Sequence, residues 1–237
     1  MKKPAIRWTI GPFSKTSFNV LKLSIRNIRK IYRDQFHLTV TYNNVNSEDI
    51  ERLDIDSAIN QCVISHNMPL QPPEIKQAGP AWKLYPARTS LETHEIMLDN
   101  DVVIIKKMEA IDRFLSSDSL FLITESLQRS YSVRYDSKIR KEFNVNSGFV
   151  ALPPFFDYVS EISKNTSQAI WTDMFDEQSI VACVLQSHDV EVIPKEHISV
   201  IGSTTEYQLG KYGVHFIGIN SGFDEHWLKF TSTRSLL

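Results

Sequence analysis

Near the middle of the chain an apolar run contains two aspartates one residue apart, Ile96-Met97-Leu98-Asp99-Asn100-Asp101-Val102-Val103-Ile104. Side chains at positions i and i+2 of an extended chain point the same way, so Asp99 and Asp101 are expected to converge on one cation while Asn100 points elsewhere. Two carboxylates would leave the other coordination positions of Mg2+ or Mn2+ to waters and to the phosphate oxygens of a substrate. The alternative is a buried strand ending in a polar turn, where aspartate is common for reasons unrelated to metal. A further candidate ligand is His215, carried by the short apolar segment Val214-His215-Phe216-Ile217-Gly218. A histidine in such a segment is ordinarily a hydrogen-bonded core residue, and it gains chemical meaning only if the fold brings it to the aspartates.

Those side chains need a scaffold, and an alternation of strand and helix patterns supplies one. Ala5 to Ile10 reads as a first strand, broken by Gly11-Pro12 before Ser14 or Thr16 caps a helix. Phe18, Leu21, Ile25, Ile28 and Tyr32 recur at helical spacing as its core face, and Lys22, Arg26, Arg29 and Arg33 form a basic stripe beside them. That stripe reads as a solvated face, with anionic lipid as the alternative. Phe36 to Tyr42 is a second strand, Glu48 to Leu53 a short helix, Asn60 to Ser65 a third strand, and Met68 to Pro80 a proline-rich loop. A helical stretch from about Pro86 to Thr93 then leads into the aspartate strand. Leu120 to Thr124 and Val145 to Leu152 are further strands, and Glu177 to Leu185 is a helix. The pattern predicts an α/β fold, a mainly parallel central sheet flanked by helices, with ligands bound at the carboxyl ends of the strands. Gly-Pro-Phe-Ser-Lys-Thr at residues 11–16 invites comparison with a phosphate loop, but it lacks a glycine before the lysine and has proline where backbone amides are needed.

Composition bounds the setting. With 237 residues, 42% hydrophobic and 23% charged, the chain is expected to fold as one domain spanning 1–237. A formal charge of -2 provides no global attraction to nucleic acid. Cys62 and Cys183, each beside apolar residues, indicate buried thiols in place of a disulfide framework. The basic N-terminus lacks the apolar core of a signal peptide, and no stretch is long enough for a transmembrane segment, so a soluble, cytoplasmic protein is expected.

The order of these features resembles glycosyltransferases of the GT-A, nucleotide-diphospho-sugar transferase type, in particular the glycogenin and bacterial galactosyltransferase (family 8 type) group. The likeness rests on the strand ending in Asp99-x-Asp101, the later Asn146-Ser147-Gly148, the acidic-Gln pair Glu177-Gln178, and His215-x-x-Gly218 followed by Trp227. It implies a nucleotide-binding half over 1–105 and a sugar- and acceptor-binding half over 106–237. It implies that Asp99, Asp101 and His215 hold Mn2+ (or Mg2+) against the diphosphate of a UDP-sugar donor. An imidazole in that set favours Mn2+. By the same resemblance Arg88, with Lys83 as a second candidate, contacts the donor from the helix before the metal strand. Asn146, Ser147 and Gly148 line the donor sugar pocket, Glu177 meets sugar hydroxyls, and Gln178 lies beside the anomeric carbon. Asp176 replaces Glu177 if the register shifts by one. A lysine expected shortly after Gly218 is absent: Ser221 stands near that point, between Lys211 and Lys229.

The implied reaction is metal-dependent transfer of a sugar, a hexosyl group, to a sugar or other acceptor hydroxyl, with retention of anomeric configuration following from the resemblance. Two alternatives stand beside it. Asp99-x-Asp101 with Leu122-Ile123-Thr124 also resembles the opening motifs of haloacid-dehalogenase-like phosphatases, although those enzymes place the aspartate strand near the start of their core domain. The other alternative is a protein of the same fold that binds a nucleotide sugar without catalysis.

Overall fold

The aspartate strand lies at the centre of a seven-stranded sheet. The computed structural model describes residues 2–42, 45, 48–49, 51, 63–65, 83–84, 88–165, 175–219 and 224–233. Strand β1 (Ala5–Ile10) is buried along its whole length and pairs in parallel with β2 (His37–Tyr42) on one side and β4 (Glu95–Asp99) on the other. Strand β3 (Val63–Ser65) lies parallel to β2 at one edge. Beyond β4 come β7 (Val145–Leu152), β6 (Phe121–Glu125) and β8 (Val190–Ile193), in the order β3-β2-β1-β4-β7-β6-β8. Among the described strands of this sheet only β7 runs against its neighbours, so the sheet is mainly parallel, as the alternation predicts. Strands from both halves of the sequence share it.

The period-2 alternation of a strand divides the apolar residues between two cores. Ile96 and Leu98 of β4, with Phe149 and Ala151 of β7, join the core beneath α1 (Lys15–Tyr32) and α2 (Glu109–Leu115). Met97, Val150 and Leu152 enter the opposite core, which includes residues of α3 (Val133–Asp136), α4 (Tyr158–Asn165) and α5 (Asp176–Leu185). A buried ion pair ties β1 to β4: Arg7 Nη2 lies 2.9 Å from Glu95 Oε1, and Glu95 Oε2 accepts the Thr89 N–H at 2.7 Å.

Helix α1 begins at Ser14, whose Oγ accepts the Ser17 N–H at 3.1 Å and so meets one of the amides that a helix start leaves unpaired. Its buried face carries Leu21, Ile25, Ile28 and Tyr32 as expected, and also the polar residues Ser17, Ser24 and Asn27. Ser24 Oγ donates to Val102 O at 2.6 Å and accepts from Trp8 Nε1 at 3.0 Å. Asn27 Nδ2 donates to Ile104 O at 3.0 Å. These bonds hold β5 (Val102–Ile104) against the helix. On the outward side Arg26, Lys30 and Arg33 are exposed, and Lys22 Nζ lies 4.8 Å from the Phe18 ring centroid.

Strand β5 belongs to a second sheet. It pairs antiparallel with β10 (Gly213–Phe216), which runs parallel to β9 (Ile198–Ile201). A third apolar cluster joins Val103, Val214 and Phe216 of this sheet to Trp227 and Phe230 of α6 (Glu225–Thr233) and to Val20. Trp227 meets Phe216 edge to face at 5.7 Å.

Several expectations change. Asp99 and Asp101 do not share one face of an extended strand: β4 ends at Asp99, Asn100 and Asp101 form a turn, and β5 starts at Val102. The helix expected over 86–93 is absent from residues 88–93, which are irregular and include a turn. Cys183 is half-buried, and Cys62 lies outside the described residues, as does the loop at 68–80. Of the short helix at 48–53, Glu48, Asp49 and Glu51 are described and are helical. No helix among the described residues is long and apolar enough to cross a membrane.

Removing one partner of the Arg7–Glu95 pair would leave a buried charge uncompensated. Arg7→Met should cost about 3–5 kcal/mol in urea unfolding, and the double variant Arg7→Met with Glu95→Leu should recover a large part of that loss.

Candidate active site

The turn between the two sheets is where the acidic residues gather. Asp99 ends β4 opposite Thr9 of β1, and Asp101 lies one residue before β5. The antiparallel register pairs His215 with Val102, and the ladder continues as the Phe216 N–H donates to Asp101 O at 3.0 Å. That register, set by two strands far apart in sequence, carries the imidazole to Asp101: His215 Nε2 lies 3.1 Å from Asp101 Oδ1. One ligating atom from each of Asp99, Asp101 and His215 lies within 4.8 Å of the others.

Gly148 makes room for the histidine. A Cβ built on it would overlap the imidazole, 2.7 Å from His215 Nδ1, and would stand 3.0 Å from Asn146 Oδ1. Absence of a side chain at 148 is thus a steric condition for where His215 sits.

Lys83 occupies the middle of the cluster. Its Nζ lies 2.8 and 3.0 Å from the two oxygens of Asp99, 3.0 Å from Glu177 Oε1 and 3.5 Å from Ser147 O. Burial alone would lower the Lys83 pKa, but the Asp99 and Glu177 charges outweigh it and hold the ammonium protonated well above its ordinary range. Glu177, at the buried start of α5, has its second oxygen engaged too, since Ser147 Oγ donates to Oε2 at 2.9 Å. Burial pushes the Glu177 carboxyl above its usual range, Lys83 pulls it back, and the Asp99 charge adds to the rise. Beside it, Gln178 Oε1 accepts from Asn146 Nδ2 at 3.1 Å, and Gln178 Nε2 donates to Ser130 O at 2.9 Å. Asn146 Oδ1 in turn accepts the Gly148 N–H at 2.9 Å. The strand end that bears the glycine, the helix start that bears Glu177 and Gln178, and the aspartate turn therefore form one connected polar cluster.

Its charge is unbalanced. Among the described residues, Asp99, Asp101 and Glu177 gather around Lys83, three carboxyl groups to one ammonium. Burial would lower the His215 pKa, but the Asp101 charge and hydrogen bond outweigh it and raise the value above the ordinary histidine range. His215 Nδ1 is buried without a hydrogen-bond partner among the described residues, and Asp101 Oδ1 has the His215 imidazole as its neighbour at 3.1 Å. Two carboxylates and an imidazole with unmet donor capacity fit a divalent cation.

The fold brings Asp99, Asp101, His215, Lys83, Asn146, Ser147, Gly148, Glu177 and Gln178 together. Gly218 lies in the turn after β10, with φ 83°, a left-handed conformation that suits glycine. Arg88 is not part of the cluster. It sits at the opposite end of β4 from Asp99, and its guanidinium donates to the carbonyls of Thr93, Leu152, Pro153 and Phe156. Of the two basic candidates, Lys83 is therefore the one the fold delivers. Asp176 is buried at the helix start beside Glu177, but Glu177 is the residue paired with Lys83. Sequence reasoning missed Ser130 and Tyr158. Burial pushes the Tyr158 hydroxyl well above the usual tyrosine range and the Glu177 charge adds to the shift. No local pattern marks either residue.

No protein-family model matches the chain, and no curated protein matches it in sequence. Solved structures do match. The galactosyltransferase LgtC in complex with donor and acceptor sugar analogs is similar at a TM-score of 0.62 with 10% identity, over 98% of this chain and 97% of that one. An active-site mutant of LgtC is similar at 0.59 with 10% identity, over 90% and 87%. At such identities the likeness is one of fold, and the chain has the GT-A fold.

Gly148→Ala should force the His215 ring aside. Overpacking of this kind should lower stability by about 1–3 kcal/mol in urea unfolding.

Proposed function

We propose that this protein is a metal-dependent glycosyltransferase that moves a sugar, a hexosyl group, from a UDP-linked donor to an acceptor hydroxyl. The observation that carries the reading is the convergence of Asp99, Asp101 and His215, within 4.8 Å of one another, at the carboxyl ends of β1 and β4. It does so in a chain with the fold of LgtC, which is known in complex with donor and acceptor sugar analogs.

Asp99, Asp101 and His215 would hold the metal, and their mixed oxygen and nitrogen donors favour Mn2+ over Mg2+. Held there, a divalent ion would supply positive charge for a departing nucleoside diphosphate, and the leaving group would then need no protonated side chain. The chain's own residues do the rest. Lys83 presents a buried ammonium between Asp99 and Glu177, whose positive charge would favour an anionic donor beside it. Glu177, held through both oxygens by Lys83 and Ser147, keeps that ammonium in place and faces the sugar hydroxyls as an oriented acceptor. The Gln178 amide, fixed by Asn146 and Ser130, stands beside the anomeric carbon, where its dipole stabilises developing positive charge. Glu177 is engaged on both oxygens and so offers no free nucleophile for a covalent intermediate; retention here would require the acceptor hydroxyl to attack on the same face from which the diphosphate departs. A dehalogenase-like phosphatase is not favoured, because the sheet surrounding the aspartates is that of LgtC.

Calorimetry of UDP with and without Mn2+ tests the assignment. The parent should bind UDP at least about tenfold more tightly with Mn2+, and Asp101→Ala should abolish that gain; metal-independent binding in both proteins would contradict it. The imidazole must be neutral to ligate, and Asp101 holds its proton to higher pH than usual. Mn2+ affinity should therefore fall as pH is lowered through a value above the ordinary histidine range, as read by Mn2+ titration across pH.

A further inference from the structure

Lys83 and the proposed metal compete for the same carboxylate. The ammonium takes both oxygens of Asp99, at 2.8 and 3.0 Å, and reaches Glu177 Oε1 at 3.0 Å, with its side chain 5% exposed. A cation so buried is tolerated because several acceptors surround it. A divalent ion on Asp99, Asp101 and His215 needs an Asp99 oxygen, and a dication repels an ammonium strongly when both share one carboxylate in a site with little water.

We infer that Lys83 is the built-in counter-cation of this site, a positioning residue that neutralises Asp99 before metal enters and couples metal occupancy to donor binding through its second anchor, Glu177. The inference rests on the metal reading above. It has two consequences. Lys83 weakens the binding of metal alone, so that a divalent ion does not saturate the site before an anionic ligand arrives. When a diphosphate brings its negative charge, the repulsion between ammonium and dication is screened, and metal and nucleotide bind cooperatively. Glu177 makes this possible, because it retains one end of the ammonium's contacts when Asp99 turns to the metal. A merely structural lysine has no such effect: its loss would loosen the site and weaken every ligand.

The test is Mn2+ binding, with and without UDP, followed by the paramagnetic resonance of free Mn2+ in the parent, Lys83→Met and Lys83→Gln. The glutamine keeps a hydrogen-bond donor between the two carboxylates and guards against a variant that does not fold; near-ultraviolet dichroism checks each. Both variants should bind Mn2+ alone on the order of tenfold more tightly than the parent, while the gain in Mn2+ affinity conferred by UDP shrinks by a similar factor. Folded variants that bind Mn2+ alone as weakly as the parent, or more weakly, would overturn the role of Lys83 and leave the metal site standing. No Mn2+ binding by the parent or by either variant would overturn both.

Discussion

Buried negative charge at the crossing between two sheets is the constraint on which the structure depends. Asp99, Asp101 and Glu177 lie within one polar cluster, and isolated carboxylates in such a place would be strongly disfavoured without counter-charge. Among the described residues Lys83 supplies one positive charge and His215 a titratable group, and in the proposed reading a dication would balance the rest. In the proposed reading, acidity that would be a liability in an ordinary core is what would let the site receive an ion and, through it, a phosphorylated ligand.

Holding those charges together requires the scaffold to be stiff where the chain changes sheets. The polypeptide leaves β4 at Asp99 and enters β5 at Val102, so a shift of either sheet would separate the ligands. Ser24 and Asn27 of α1 grip the β5 carbonyls of Val102 and Ile104, and Ser24 also takes the Trp8 indole from β1. One helix therefore fixes the larger sheet to the smaller one through buried hydrogen bonds, whose specific geometry apolar packing alone does not impose. On the far side, β10 brings His215 in register with β5, and Gly148 of β7 leaves space for the ring. Packing, register and chemistry meet within a few residues.

Much of this was legible in the residues themselves. The strands β1, β2, β4, β6 and β7 follow from short apolar runs bounded by turn residues, and α1 from a 3.6-residue period that its burial obeys; β1, β7 and α5 are buried on nearly every side, so their type is read from length and residue kind. Asp99, Asp101 and His215 stood out because ligating side chains in apolar segments are chemically conspicuous. The path between the aspartates was not legible: Asn100 and Asp101 interrupt an apolar run too briefly to show that one strand ends and another begins. Nor was the choice between Lys83 and Arg88. The two basic residues lie five positions apart, and only the tertiary fold sends one to Asp99 and the other to four carbonyls at the opposite end of β4. Ser24 and Asn27 occupy helical core positions where polar residues look like errors until their partners on another strand are known.

The central claim is spatial: a divalent ion held by Asp99, Asp101 and His215 beside a nucleoside diphosphate. Anomalous diffraction at the manganese edge, from crystals grown with Mn2+ and UDP, tests it most directly. The account predicts one strong peak in bonding contact with all three side chains and with the diphosphate. A peak elsewhere, or a nucleotide bound at the opposite end of the strands, would contradict it.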